Sequence, residues 1–212
     1  GGLPILLAFD LENNLIDLRS AQVFSPVNGV WEELADIPEE LAPVSETDAV
    51  ARLQQDGLCR IPIGILGGRN ASDEQLAVAL ELGTLIAQMG LTLICGGRQG
   101  VMEAACKGAA EAGGICVGLL PDETPDKANP YVTIPLATGI GVARNAILTR
   151  TALCLVAIGG GYGTISEIAF GLQFKKRVMG LSGAPNIPGI LPCRSPKEAA
   201  VRIARVVLNR PQ

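Results

Sequence analysis

The sequence predicts a doubly wound α/β fold with a mainly parallel sheet, preceded by a small β appendage. Composition is the first reason. Of 212 residues, 48% are hydrophobic but only 3% aromatic, and glycine occurs 26 times; this suits short aliphatic strands covered by helices on both faces. Order along the chain is the second, because beyond residue 60 short apolar runs alternate with segments of helical period, the pattern of βαβ units. The third is punctuation: three apolar runs end in glycine clusters that lead into helices, and such strand ends are where an open parallel sheet meets its ligands. The length supports one main core with room for an addition. The chain divides into an appendage and linker over 1–59 and the sheet domain over 60–212.

The appendage begins with a hairpin, Pro4–Phe9 and Leu15–Leu18 around Glu12-Asn13-Asn14, followed by a third strand near Ala21–Phe24. The acidic, proline-containing stretch Glu32–Thr47 reads as a linker and Glu46–Gln55 as a short helix. In the main domain, Ile61–Leu66 is the first strand, and the turn Gly67-Gly68-Arg69-Asn70 leads to Ser72. Ser72 stands three residues before Gln75 in a capping box, and Leu76, Ala79, Leu80, Gly83 and Ala87 then recur at helical spacing. Leu91–Cys95 is the second strand, Gly96-Gly97-Arg98-Gln99-Gly100 opens a helix over Val101–Ala112, and Ile115–Leu120 is the third strand. After a polar loop, Pro121–Pro130, come an extended piece at Tyr131–Ile134, a helix at Gly141–Thr151 and a strand at Leu153–Ile158. A further strand is expected at Val178–Leu181. Ser195-Pro196-Lys197-Glu198 combines an N-cap, a proline at the first helical position and a capping acid, so a last helix runs to Leu208.

The most informative stretch is Ile158-Gly159-Gly160-Gly161-Tyr162-Gly163-Thr164-Ile165-Ser166-Glu167. An apolar strand runs through glycines directly into a helix, whose first N–H groups form an anion site that bare backbone lets a phosphate approach. Thr164 adds a hydroxyl. Glu167, one turn in, is either a helix-start stabiliser or a chemical group. With Gly67, Gly68 and Arg69, and with Gly96, Gly97 and Arg98, three strand ends project toward one rim. Two of them bring an arginine suited to phosphate or carboxylate. The dinucleotide fingerprint with its later ribose-binding acid is not matched cleanly.

Other classes are set aside by composition. A net charge of -4 provides no basic field for nucleic acid. Six cysteines lack zinc or redox spacing, and Cys95, Cys116 and Cys154 lie in apolar runs; buried free thiols in a reducing cytoplasm are expected, with no metal centre. The apolar run Leu3–Phe9 is too short to cross a membrane. The chain opens on Gly1-Gly2 rather than Met, which leaves a removed leader open.

At these glycine motifs the chain resembles the Rossmann-like superfamily that includes the LONELY GUY phosphoribohydrolases, also labelled lysine decarboxylases, and the molybdenum cofactor carrier proteins. The likeness covers about Ile61–Leu181. Gly159 through Glu167 corresponds to the family's Pro-Gly-Gly-x-Gly-Thr-x-x-Glu, with Gly in place of Pro, and Arg144-Asn145 stands where the hydrolases have Arg-Lys. Gly96-Gly97-Arg98-Gln99-Gly100-Val101-Met102-Glu103 resembles the second signature, and the details look closest to the cofactor-carrier branch. The resemblance implies a homodimer whose interface includes helices near 141–151 and 163–174. For a hydrolase it implies Arg144 and Glu167 as catalytic groups on an N-glycosidic bond, Gly160–Thr164 on the phosphate, and no cofactor. The chain departs from that pattern: it has no histidine, Val142 stands where hydrolases carry one, and Ile147 replaces an acid.

The primary expectation is therefore a binder of a phosphorylated nucleotide-like or pterin ligand, such as molybdenum cofactor. The alternative is a phosphoribohydrolase acting on purine nucleoside 5′-monophosphates, including cytokinin-type ones. Candidate ligand-binding residues are Gly67, Gly68, Arg69, Gly96, Gly97, Arg98, Asn145, Gly159, Gly160, Gly161, Tyr162, Gly163 and Thr164, with Arg150 a further one. The structural alternative for Arg144 and Glu167 is an internal ion pair or helix-end charge pairing. Lysine decarboxylation is not expected, since no lysine has the setting of a pyridoxal phosphate Schiff base.

Overall fold

The computed structural model describes residues 6–212. The expected Pro4 and Ile5 of the first strand, and Gly1-Gly2, lie outside them. The appendage is an antiparallel sheet of β1 (Leu7–Phe9), β2 (Leu15–Asp17), β3 (Gln22–Ser25), β4 (Val30–Glu33) and β5 (Ala42–Val44), ordered β4-β3-β2-β1-β5. Helix α1 (Glu46–Gln54) follows, with Ser45 capping it by accepting from the Asp48 N–H. The stretch Glu32–Thr47 is thus not simply a linker, because β4 and β5 fall wholly or partly inside it. Both are edge strands. Pro43 sits opposite Ala8, where a missing amide is tolerated, and the exposed Glu32 and Glu33 are the kind of charge that edges carry against aggregation.

The main sheet contains β6 (Ile63–Gly67), β7 (Leu93–Cys95), β8 (Cys116–Leu120), β9 (Ile134–Ala137), β10 (Leu155–Ile158), β11 (Val178–Leu181) and β12 (Ile190–Pro192). All seven are parallel, in the order β12-β11-β10-β6-β7-β8-β9. The extended piece expected at Tyr131–Ile134 begins its pairing only at Ile134, and β12 is a strand the sequence pattern did not announce. The helices are α2 (Asp73–Gln88), α3 (Val101–Glu111), α4 (Arg144–Thr151), α5 (Tyr162–Gln173) and α6 (Pro196–Val207). A capping box starts α2, where Ser72 and Gln75 exchange hydrogen bonds. Ser195 caps α6 by accepting from the Glu198 N–H.

Period-two alternation sorts each strand between two cores. Val156 and Ile158 join Ile63, Ile65, Leu82 and Ile203 under α2, α3 and α6, whereas Leu155 and Ala157 join Leu66, Leu148 and Ile168 under α4 and α5. Strand order reverses between β6 and β10, and the crossover helices of the two directions, α2 and α3 against α5, occupy opposite faces, as right-handed crossovers require; α6, after the last strand, returns to the α2/α3 face. The appendage docks on the α2/α6 side: Leu7, Phe9, Leu15 and Phe24 enter that core. The Trp31 indole N–H donates to the Leu208 carbonyl at 2.8 Å, and Arg205 pairs with Glu46 at 3.0 Å and Arg210 with Asp17 at 2.8 Å.

Helices α2 and α3 touch backbone to backbone. A Cβ on Gly83 would collide with the Ala105 carbonyl, and one on Gly108 with the Leu80 carbonyl. Gly83→Ala should therefore destabilise the protein by roughly 1–3 kcal/mol through overpacking, despite alanine's better helix propensity, of order 1 kcal/mol; urea unfolding of the two proteins gives the difference.

Candidate functional site

The reversal of strand order opens the carboxyl-end rim between β6 and β10, the switch point at which doubly wound sheets bind ligands. Two glycine turns meet there. A Cβ on Gly68 would lie 3.8 Å from Gly160 Cα. Gly160 has φ +121° and faces Thr164 so closely that a side chain would collide with it. Gly161 precedes α5 and offers no capping side chain, so the first-turn amides of Tyr162, Gly163 and Thr164 open on the rim with the positive end of the helix dipole. Thr164 is buried against Gly160, while Tyr162 is 93% exposed.

The second glycine turn serves differently. Gly100, at φ +74°, starts α3, but the Val101 N–H donates to the Gly68 carbonyl at 3.1 Å. That bond ties the turn after β7 to the turn after β6 and uses an amide a ligand would otherwise meet. Gln75 braces the far side: its Nε2 donates to the Ser182 carbonyl at 3.0 Å and packs against Gly159.

Beside the cradle, α4 and α5 face each other with Arg144 and Glu167, both buried. Arg144 Nη1 donates to Glu167 Oε1 at 3.1 Å and to Asn145 Oδ1 at 2.6 Å. Its guanidinium also lies over Gly96, where any Cβ would strike it. Asn145 Nδ2 donates to Ser166 Oγ at 3.1 Å, and that hydroxyl donates to the Gly163 carbonyl at 2.7 Å. Arginine, carboxylate and glycine turn are thereby one hydrogen-bonded unit. Burial pushes the Glu167 carboxyl up to about 7, against the opposing pull of Arg144.

Further along the rim, Arg98 Nη2 donates to Asp122 at 2.7 Å, and Asn129 holds the glycine turn by donating through Nδ2 to the Arg98 carbonyl and through its N–H to the Gly97 carbonyl. Asp122, Asn129, Ser166 and Gln75 are the members that sequence reasoning missed. Asp122 carried a signal, since it follows the end of β8 by two residues. Arg69 is exposed at the turn after β6. Arg150 lies at the far end of α4 with its guanidinium 4.0 Å from the Phe174 ring centre, away from the rim. The four buried cysteines are free, as are the half-buried Cys59 and Cys193. Among the described residues no group suited to a metal ion occurs, and no helix is long and apolar enough to cross a membrane.

A cleft of about 720 Å³ lies elsewhere, between the appendage and the end of α6, lined by residues such as Leu7, Val44, Glu46 and Arg205. Its walls are mainly apolar, whereas the convergent donors and the shifted carboxyl all belong to the more open rim.

Residues 60–206 match the SLOG cluster4 family. The chain belongs to that family. The β1–β5 sheet and α1 precede the matched segment. An uncharacterised protein of Archaeoglobus fulgidus is 43% identical to this SLOG cluster4 protein over 137 residues, 65% of this chain and 90% of the relative. Among solved structures, the molybdenum cofactor binding protein of Rippkaea orientalis is similar at 33% identity and TM-score 0.66, over 70% of this chain and 98% of that one. The molybdenum cofactor carrier protein of Chlamydomonas reinhardtii is similar at 36% identity and TM-score 0.64, over 71% and 99%. The fold is Rossmann-like, and the carrier branch is the one the glycine motifs resemble.

Between about pH 4.5 and 7 the folded protein keeps the Glu167 proton that an unfolded chain releases, so this group lowers stability as pH rises through that window. Glu167→Gln should remove the effect: relative to wild type its stability should rise between pH 4 and pH 8 by on the order of 3 kcal/mol, read from urea unfolding at several pH values.

Proposed function

We propose that this protein binds molybdenum cofactor or a closely related phosphorylated pterin, and acts as a carrier for it. The observation that carries the reading is the uncapped start of α5 at the sheet's switch point, with Gly160 bare against Thr164. Backbone donors there can hold a phosphate without a basic field, which suits a chain of net charge -4. The similarity to cofactor-binding and carrier proteins supports the choice of ligand. Of the predicted ligand-binding residues, Gly159 to Thr164 would hold the phosphate together with Gly67 and Gly68, and Asn145 would orient the turn through Ser166. Gly96 and Gly97 would leave room for the ligand beside Arg144, and Arg69 would meet it from the open side. Arg144 and Glu167 would then be fixed polar walls of the site.

Phosphoribohydrolysis is the reading that the relatives do not favour. Incubation with purine nucleoside 5′-monophosphates, followed by chromatography, should release no free base. Glu167-dependent release would overturn the carrier reading.

Binding should depend on the turn. Gly160→Ala is expected to weaken pyrophosphate and molybdenum cofactor binding at least about tenfold, because its Cβ displaces Thr164 and closes the approach to the amides. Unchanged affinity in equilibrium dialysis would remove the cradle from the account.

The same reading includes a homodimer. Ile134 and Leu136 on β9, Ile147 on α4 and Ile165 on α5 are all exposed large apolar side chains, and surfaces of this kind are commonly covered by a partner. Light scattering after size exclusion should give twice the chain mass, and Ile147→Glu should shift it toward the monomer.

A further inference from the structure

We propose that Arg98 and Asp122 read the 2-amino-4-oxopyrimidine edge of the bound ring, the edge that pterin and guanine share. The inference rests on the phosphate cradle of the proposed function and extends it to the ligand's other end.

Among the described residues, Arg98 Nε and Arg144 Nε are buried without a hydrogen-bond partner, while both carboxylate oxygens of Asp122 lie 2.7 Å from Arg98 Nη2. Both guanidiniums belong to this rim. A purely structural arginine in a folded core normally spends its donors, and these two do not. The pair is also held in place from behind. Asn129 fixes the Arg98 backbone at 3.0 Å, and the Asp122 carbonyl accepts the Gly139 N–H at 2.8 Å. Both side chains remain reachable, at 19% and 26% exposure.

The surroundings suit a flat ring. Hydrogen bonds from the Gly139 N–H to Asp122 and from the Gly141 N–H to Pro121 lay the segment 139–141 along the end of β8. Ile140 therefore stands beside the polar pair with 48% of its surface exposed, and Val142 follows at 83%. Apolar side chains next to a guanidinium–carboxylate pair provide a face and an edge, the two things an aromatic heterocycle needs from a site.

The chemistry selects which heterocycle. The pyrimidinone edge presents a carbonyl oxygen, a ring N–H and an amino group, in the sense acceptor, donor, donor. An arginine meets the oxygen and the neighbouring carboxylate meets both N–H groups, charge-assisted on each side. Adenine has no oxygen for the arginine and only one donor for the carboxylate. The spacing agrees as well. From the cradle, at the ends of β10 and β6, to the end of β8 is two to three strand intervals, about 10–14 Å, so a ligand with its phosphate in the cradle extends its other end along the rim toward β8.

Calorimetric titration of the full chain tests this with pyrophosphate, the 5′-monophosphates of guanosine, inosine and adenosine, and the phosphate ester of 6-hydroxymethylpterin. The pterin and guanosine esters should bind about tenfold or more tightly than the adenosine ester, with inosine, which lacks the amino group, between them. Asp122→Asn should bring guanosine down to the level of inosine while pyrophosphate binds as before, a pattern that loss of a structural pair would not produce. Equal affinity for guanosine and adenosine esters in the wild type, or an unchanged preference in Asp122→Asn, would overturn the edge reading and leave the cradle standing. Failure of pyrophosphate and every ester to bind would overturn both. A tighter pterin than guanosine ester identifies the ligand class as pterin, and the reverse order identifies it as a guanine nucleotide; either supports the pair's role.

Discussion

The reversal of strand order between β6 and β10 is the constraint on which the rest of the molecule depends. From β6 the chain travels one way through β7, β8 and β9, then crosses back to β10 and travels the other way through β11 and β12. Because crossovers are right-handed, the first direction lays α2 and α3 on one face and the second lays α5 on the other. The helices that follow β6 and β10 therefore diverge while their turns stay in contact, and the rim above the turns is lined by backbone. Glycine fills these turns because Gly160 must face Thr164 closely. The arginine and carboxylate follow from the same event: α4 and α5 share the second face, so Arg144 and Glu167 meet across their contact and reach over the end of β7.

How much of this was legible depended on where a residue sits in the sheet. The interior strands β6, β7, β8, β10 and β11 are apolar on both faces and were readable as runs. The misread strands β4, β5, β9 and β12 are all edges. An edge needs hydrogen bonds on one side only, so it tolerates Pro43, Pro135 and Pro192 and carries charges such as Glu32 and Glu33, and its sequence looks like a loop. The same division runs through the site. Gly160 and Glu167 follow a strand within one motif and could be found by spacing. Asn129, Ser166 and Gln75 act through bonds to carbonyls of other segments, and no local pattern announces a bond of that kind.

Electrostatics at the rim is arranged without excess positive charge. The chain is acidic overall, and two of the arginines at this rim, Arg144 and Arg98, are paired with Glu167 and Asp122. An anion would be met by oriented peptide dipoles, whose charge costs no rearrangement and adds nothing to the net balance. Burial strips the Glu167 carboxylate of its water, which is why its proton is held to about 7 against the pull of Arg144. The pair carries one positive charge with Glu167 protonated and none with it ionised, so its charge can adjust to what lies beside it.

The docking of the appendage bears on how the chain is made. Phe9, Phe24 and Trp31 precede the main sheet, yet the surfaces that cover them involve α6 and Leu208, with Trp31 and its carbonyl partner 177 positions apart. At ribosomal rates of about 5–20 residues per second, roughly ten to forty seconds separate the emergence of these aromatics from that of their cover. Through that interval the nascent sheet carries an uncovered apolar side, an opportunity for chaperones to engage it. In the order of translation, the sheet comes well before the helix that covers it.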